Sequence, residues 1–304
     1  MIKKCSGCGI TLQDKNVQEI GYTPNINNSL CMRCFKLKNY NELISSGDII
    51  NNKILLDSIN KYNTFVIYLI DFFNITDETI NIYKKINNKK VLVITKSDLI
   101  PNNIIKDKVI KNIKDIYKIN ENIFLVSSKK KSNINILYQL CINNKKVLIT
   151  GFTNAGKSSI VNVLVNSDIT VSNKKNTTLD FIEVKSDLFK IIDAPGFISN
   201  TFNNQAKKEI KAITYQMKQN EYLEFKDFNI YFNGQANITI YMDALVQKRK
   251  TKANIKYDTP VPSNTDLVIK GLGFIRFSNS AIISINIDKS LYELRPSIIG
   301  GNYE

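Results

Sequence analysis

Nine consecutive residues, Gly151-Phe152-Thr153-Asn154-Ala155-Gly156-Lys157-Ser158-Ser159, have the types and spacing to hold a phosphate chain. They fit the pattern G-x-x-x-x-G-K-[ST], in which glycines let backbone N–H groups curl round phosphates at a helix N-terminus. Asn154, Ala155, Gly156, Lys157, Ser158 and Ser159 are the candidate phosphate contacts. Lys157 would reach the terminal phosphates and Ser158 would ligate magnesium. The competing explanation is a chance Gly-Lys-Ser in a lysine-rich chain. The apolar run Val147–Ile149 before the loop and the helical pattern Ile160–Val165 after it argue against chance.

Other stretches bear on the same chemistry. Asp193-Ala194-Pro195-Gly196 is a D-x-x-G pattern, which would set Asp193 near the magnesium shell and Gly196 by the γ-phosphate. Asn176-Thr177-Thr178-Leu179 can supply a hydroxyl to magnesium, and Thr178 is the candidate. In Thr95-Lys96-Ser97-Asp98, Asp98 could accept from guanine N1–H and the exocyclic amine while the Lys96 stem lies along the base. Adenine offers no such donor pair, so an aspartate there selects guanine. Ser127-Ser128-Lys129 follows the next apolar run. Alone, either of these last two stretches reads as an ordinary loop; their value comes from position and from each other. The combination specifies a GTPase with Lys157, Thr178, Asp193 and Gly196 as its catalytic set. Thr95, Lys96, Asp98, Ser127, Ser128 and Lys129 would hold the base.

The first forty residues carry a different chemistry. Cys5-x-x-Cys8 and Cys31-x-x-Cys34, 22 residues apart, have the signature of a four-thiolate zinc site. A redox pair or two disulfides compete with that reading. Two matched pairs and an expected cytoplasmic location weigh for zinc, in a structural role because no coordination position stays open.

These residues need a scaffold that brings them together. Apolar runs at Phe65–Ile70, Val91–Ile94, Ile123–Val126 and Val147–Ile149 alternate with helical patterns at Asp77–Asn87, Val109–Ile119 and Ile134–Ile142. That alternation predicts a parallel α/β sheet covered on both faces, with ligands at the carboxyl ends of the strands. Phe181–Val184 and Phe189–Ile192 read as two further strands. Residues 39–60 have helical spacing, and Cys141 sits on an apolar helix face as core. In an ordinary GTPase the phosphate loop comes first; here Thr95–Asp98 and Ser127–Lys129 precede it, so the fold is circularly permuted. The segment after Gly196 then leads straight into the C-terminal region. Residues 197–220 are therefore expected to transmit the nucleotide state.

Gln205–Asn220 reads as a basic helix. Short runs at Phe228–Phe232, Ile238–Met242, Leu267–Ile269, Phe274–Phe277 and Ala281–Ile287 suggest a mostly antiparallel α+β domain. Lys248-Arg249-Lys250-Thr251-Lys252 is the densest basic cluster, an RNA phosphate contact or a solvated hairpin tip. Tyr231, Phe232, Tyr241, Phe274, Arg276 and Phe277 could stack on bases, although burial is the commoner fate of aromatics in a sheet.

Composition narrows the function. The formal charge of +15 over 304 residues suits a polyanionic partner such as RNA, but a Lys-, Asn- and Ile-rich composition explains it as well. There is no histidine, which excludes histidine acid–base chemistry and histidine metal ligands. Arg33, Arg249, Arg276 and Arg295 are the four arginines, so no arginine finger comes from within the nucleotide-binding region. No apolar run approaches the roughly 20 residues of a membrane span, and the N-terminus lacks the apolar core of a secretory signal. A cytoplasmic protein without membrane partners is expected.

A four-cysteine module followed by a permuted GTPase resembles the YqeH family. Cys5-x-Gly7-Cys8-Gly9, Gly21-Tyr22-Thr23-Pro24 and Cys31-x-Arg33-Cys34 look like its zinc module. Thr95–Pro101, Asn154–Ser159, Thr177–Leu179 and Asp193–Gly196 match its nucleotide motifs, and Gly271-Leu272-Gly273-Phe274 resembles part of its C-terminal domain. Thr95 in place of the commoner Asn, Asn176 in place of Gly, and a short C-terminal region are departures. The resemblance implies a zinc module at 1–40, linker helices at 41–60, a GTPase domain at 61–203 and an RNA- or ribosome-binding domain at 204–304. It implies a monomeric GTPase of small ribosomal subunit assembly that binds the subunit or its rRNA precursor and uses zinc, magnesium and potassium. Phe197 stands where Ras-like proteins carry a water-orienting glutamine, as the similar family has a hydrophobic residue there. Turnover should then be slow, with Asn154 helping to hold potassium. The alternative is a nucleotide-gated RNA- or protein-binding adaptor in which hydrolysis is incidental.

Overall fold

Apolar runs alternating with amphipathic ones build most of this chain. The structure, a computed structural model, describes residues 3, 5, 11–15, 21–32, 52–165, 181–202, 210–242 and 244–300. The chain forms two units, Met1–Asn51 and Asn52–Glu304.

In the first unit short backbone contacts lay three segments side by side. Leu12 N–H donates to Lys3 O at 2.8 Å, Gln13 bridges to Tyr22, and Met32 N–H donates to Tyr22 O at 2.6 Å. Cys5, Leu12 and Cys31 are buried at the centre. The buried Thr23 hydroxyl donates to Asn25 O at 3.0 Å and accepts from the Asn28 amide at 3.1 Å. Cys8 and Cys34 lie outside the described residues.

The second unit opens with α1 (Asn52–Lys61), the only described part of the helical stretch expected over 39–60. Then come β1 (Phe65–Asp71), α2 (Asp77–Lys85), β2 (Lys90–Thr95), α3 (Lys106–Tyr117), β3 (Ile123–Leu125), α4 (Ile134–Asn144), β4 (Lys146–Gly151), α5 (Lys157–Val165), β5 (Ile182–Lys185) and β6 (Lys190–Asp193). One sheet runs β3-β2-β1-β4-β6-β5, parallel throughout except for the antiparallel edge strand β5. Residues 66–71 of β1 are all buried, as strands covered on both faces must be. Thr76 caps α2 by accepting from Thr79 N–H, and Asp77 and Glu78 in its first turn favour that end of the helix dipole. Cys141 is fully buried in this core, and burial pushes its thiol up to about 12.

The C-terminal region is a sandwich of two five-stranded antiparallel sheets. Its strands are β7 (Ile213–Met217), β8 (Glu221–Glu224), β9 (Asn229–Asn233), β10 (Ala236–Met242), β11 (Gln247–Lys250), β12 (Thr259–Val261), β13 (Thr265–Ile269), β14 (Gly273–Phe277), β15 (Ala281–Ile285) and β16 (Tyr292–Pro296). They pair in the orders β16-β13-β14-β10-β7 and β11-β8-β9-β15-β12. Leu223, Ile230, Phe232 and Ile283 from one sheet share a core with Ile238, Ile240, Ile275 and Phe277 from the other. The five expected strands are present. The expected helix over 205–220 is not: Ile213–Met217 is strand, paired to β10 from Met217↔Ala236 to Ile213↔Ile240. The β-branched and aromatic run Ile213-Thr214-Tyr215 and its neighbour strand outweigh the lysine spacing that suggested a helix. Residues 205–209 of that stretch lie outside the described residues. The α+β expectation for the domain is corrected accordingly, since the described residues 210–300 form strands and a single one-turn 3₁₀ segment at Lys289–Leu291. Among the described residues no helix is long and apolar enough to cross a membrane.

The outer face of the first sandwich sheet rests on the α/β sheet just after β1. Phe274 packs against Phe72 and Phe73, at centroid separations of 6.0 and 6.4 Å. Arg295, 2% exposed, donates from Nη1 to Ile75 O, lies 5.0 Å over the Phe274 ring and pairs with the fully buried Asp266. Asp266 also accepts from Ile298 N–H at 3.1 Å. Burial raises the Asp266 carboxyl, and Arg295 opposes that rise. Removing one partner of a buried pair strands the other, at a cost of about 3–5 kcal/mol. Arg295→Met should lower stability by that amount in urea unfolding at neutral pH. A carboxyl raised in the folded state favours folding when protonated, so the deficit should shrink as pH falls through the carboxylate range.

Candidate functional site

Everything the sequence singled out for nucleotide chemistry, among the described residues, lies at the carboxyl ends of β2, β3, β4 and β6. β4 delivers Gly151 at φ +154°, where a methyl group would sit 2.2 Å from Leu69 O of the neighbouring strand. Only glycine lets β4 run that close to β1 while the chain turns into the loop. Asn154 at φ +65° and Gly156 at φ +83° continue the curl, and α5 begins at Lys157. The first N–H groups of α5 have no partners within the helix, and Ser158 and Ser159 are exposed beside them.

Two contacts join this loop to the rest. Thr95, at the end of β2 and 3% exposed, donates its hydroxyl to Ala155 O at 2.8 Å. Thr95 thus ties the base-side loop to the phosphate loop. On the other flank Thr153 N–H donates to Phe197 O at 2.9 Å and Phe197 N–H to Gly151 O at 3.0 Å. The segment after β6 is laid strand-like along the loop. Phe197 itself is fully buried, its ring 5.6 Å from Phe152 and 6.3 Å from Tyr68. A methyl on Gly196 would lie 2.9 Å from Lys157 Nζ and 3.2 Å from Thr153 N, so a side chain there would press on the lysine ammonium and the loop backbone.

Lys157 and Asp193 are both half-buried. Burial lowers the Lys157 ammonium and raises the Asp193 carboxyl, and each opposes the other's shift by its charge. Asp193 Oδ1 is buried and makes no hydrogen bond among the described residues. A buried carboxylate oxygen lacking a donor suits a water bound to a divalent cation, so this site fits magnesium. Thr178 lies outside the described residues.

On the base side, Ser127 Oγ donates to Asp98 Oδ1 at 2.6 Å and accepts from Lys130 N–H at 3.0 Å. Lys96 adopts φ +58° and ion-pairs with Asp71, whose other oxygen accepts from Phe73 N–H at 3.0 Å. Ser128 is half-buried and Lys129 exposed beside them. The structure therefore sets Thr95 and Lys96 beside the phosphate loop and joins Ser127 to Asp98 at the neighbouring strand end.

Sequence reasoning missed the sandwich's share of the site. A pocket beside the loop is lined by Asp71, Lys96, Thr153 and Asn154 on one side and Lys270 and Gly271 on the other. Gly271 N–H donates to Asn74 Oδ1 at 2.6 Å, and a methyl there would meet Phe202 O at 2.2 Å. Ser199 donates to Glu78 at 2.6 Å, and Phe202 N–H to Lys270 O at 2.9 Å. The chain leaving Gly196 is thus clamped between α2 and the sandwich. Gly271-Leu272-Gly273 was the one visible signal of this contact.

In the first unit, Cys31 N–H donates to Cys5 Sγ at 3.2 Å, with both residues 2% exposed. A buried sulfur accepting a backbone N–H is an environment that fits a zinc thiolate.

Comparison with known proteins agrees with the nucleotide chemistry. Residues 146–256 match the family model described as 50S ribosome-binding GTPase. The Bacillus subtilis (strain 168) protein YqeH is 30% identical over 267 residues, covering 76% of this chain and 70% of that protein. The small ribosomal subunit biogenesis GTPase RsgA of Mesomycoplasma hyopneumoniae (strain 7448) is 29% identical over 170 residues, covering 53% of this chain and 54% of its own. The crystal structure of YjeQ from Thermotoga maritima aligns at 22% identity with a TM-score of 0.35, over 46% of this chain and 51% of that one.

Asp98 and its Ser127 partner make a specific expectation. Xanthine presents a carbonyl where guanine has its amine, so an amide side chain would suit it better than a carboxylate. Asp98→Asn should weaken guanine-nucleotide binding about ten- to hundredfold and favour xanthine nucleotides, as read by competition titration.

Proposed function

The chain belongs to the YqeH family of GTPases, and on that premise we propose that it binds and hydrolyses GTP as an assembly factor of the small ribosomal subunit. The observation that supports this reading is the Thr95–Ala155 contact together with the close approach of Gly196 to Lys157 and Thr153, which sets the loop between the ends of β2 and β6. The name of the RsgA relative and the family model's description support the ribosomal direction. Residues 204–304, which include the sandwich, are the part assigned to RNA or the ribosome. Residues 1–40 are assigned to a structural zinc held by Cys5, Cys8, Cys31 and Cys34.

In this reading Lys157 neutralises the terminal phosphates and the N–H groups opening α5 bind their oxygens. Gly196 N–H faces the γ-phosphate, and Ser158 and Thr178 hold magnesium with Asp193 behind them. Magnesium, when bound, offsets the charge that develops on the β- and γ-phosphates. Phe197 turns into the core, so no side chain at that position orients a water. Hydrolysis is accordingly slow unaided. The alternative role as a nucleotide-gated adaptor shares the pocket and differs in whether subunits accelerate turnover.

Two measurements test this. Extract sedimented with a GTP analogue should carry the chain with the small subunit, and Lys157→Ala should remove it from that fraction. Free protein in both cases would refute the ribosomal reading. Asn154, exposed at the loop mouth in a left-handed conformation, is the residue assigned to potassium. GTP turnover should be faster in potassium than in sodium for the wild type and equal in the two salts for Asn154→Ala. Equal rates for both proteins would remove potassium from the mechanism.

A further inference from the structure

Asp71 closes β1 after five buried residues and is itself 6% exposed, and both of its carboxylate oxygens are engaged. Oδ1 accepts from Phe73 N–H at 3.0 Å and so caps the one-turn 3₁₀ segment Phe72–Asn74. Oδ2 pairs with the Lys96 ammonium. The parallel register sets Asp71 opposite Thr95, one residue before that lysine. Lys96 leaves β2 at φ +58°, a left-handed conformation that residues with a side chain disfavour.

The carboxylate is the fixed member of the pair. The turn it caps is pinned on its far side, by Phe72 and Phe73 against Phe274 and by Gly271 N–H donating to Asn74 Oδ1 at 2.6 Å. Lys96 is the adaptable member, a point charge on a four-carbon stem. Both line the pocket beside Thr153 and Asn154 of the phosphate loop. An ammonium has three donors and Asp71 takes one; among the described residues nothing accepts from the other two. For stability alone an apolar pair would fill such a place as well as an ion pair does. A charge pair at the carboxyl end of a parallel sheet, with donors to spare, suits a ligand instead.

We propose that Asp71 is a positioning residue for nucleotide binding and acts through Lys96. It holds the ammonium at the pocket edge and so lays out the lysine stem along which a guanine base would lie. A lysine left free would lose its rotamer freedom when the nucleotide arrived, and that loss would weaken binding. Paired to Asp71, the stem is ordered beforehand. The inference rests on the GTP-binding reading and adds to it a residue outside the Thr95–Asp98 stretch. The competing role is the turn cap alone, which needs an acceptor but no charge.

Asp71→Asn separates the two roles, because the amide oxygen keeps the cap while the ion pair is lost. Calorimetric titration of the full chain should show GDP bound about three- to tenfold more weakly, the effect of leaving one rotamer-rich side chain to be ordered on binding. Inorganic tripolyphosphate, which has no base to meet Lys96, should bind as it does to wild type, and that binding reports an intact loop. In a Lys96→Met chain, adding Asp71→Asn should cost no further GDP affinity. The positioning role is overturned, with the GTP-binding reading left standing, by any of three results in a wild type that binds GDP. These are an Asp71→Asn chain with wild-type GDP affinity, an equal loss for tripolyphosphate, or an undiminished loss in the Lys96→Met background. A wild type that binds tripolyphosphate but not GDP would overturn the GTP-binding reading and this inference with it.

Discussion

The parallel pairing of β1 with β4, from Phe65↔Val147 to Leu69↔Gly151, is the constraint on which this structure depends. It joins the strands that carry base-side residues to those that carry phosphate-side residues. Because Gly151 passes within methyl-excluding distance of Leu69 O, the register cannot slip without opening the loop. Thr95 and Phe197 then lock the loop from either flank. The pocket exists only where these two halves of the chain meet.

The permutation adds a mechanical link. Residues 198–202 leave Gly196 and pass at once between α2 and the sandwich, through Ser199–Glu78 and Phe202–Lys270. The sandwich is anchored independently by Arg295 and Phe274 just beyond β1. A displacement at Gly196 therefore acts on a domain held at a second point, which favours rotation about that anchor over free release.

Much of this was legible in the sequence because apolar runs with strong β-formers leave little choice. β1, β2, β4 and β6 fall within a residue or two of their expected ends, and the strand-end chemistry followed from them. What stayed hidden depends on tertiary pairing. β11 has no apolar residue, so its strand character comes from lying against β8. β7 carries lysines nearby at helical spacing, and only β10 decides its state. Tyr222 acquires a neighbour only when β8 and β9 pair. Asp71 and Asn74 acquire partners only where Lys96 and Gly271 reach them. Of the aromatics considered for stacking, Phe232, Tyr241, Phe274 and Phe277 are buried, and Tyr231 alone stays half-exposed.

The position of β4 in the chain has a consequence for synthesis. Thr95 leaves the translating ribosome long before Phe197, and the loop is held by both. At about 5–20 residues per second the interval between them is on the order of ten seconds. For that time the nascent chain displays base-side residues with no loop to close on. Nucleotide capture is thereby deferred until the polypeptide has extended past β6, and loading becomes a late event in the biography of each molecule.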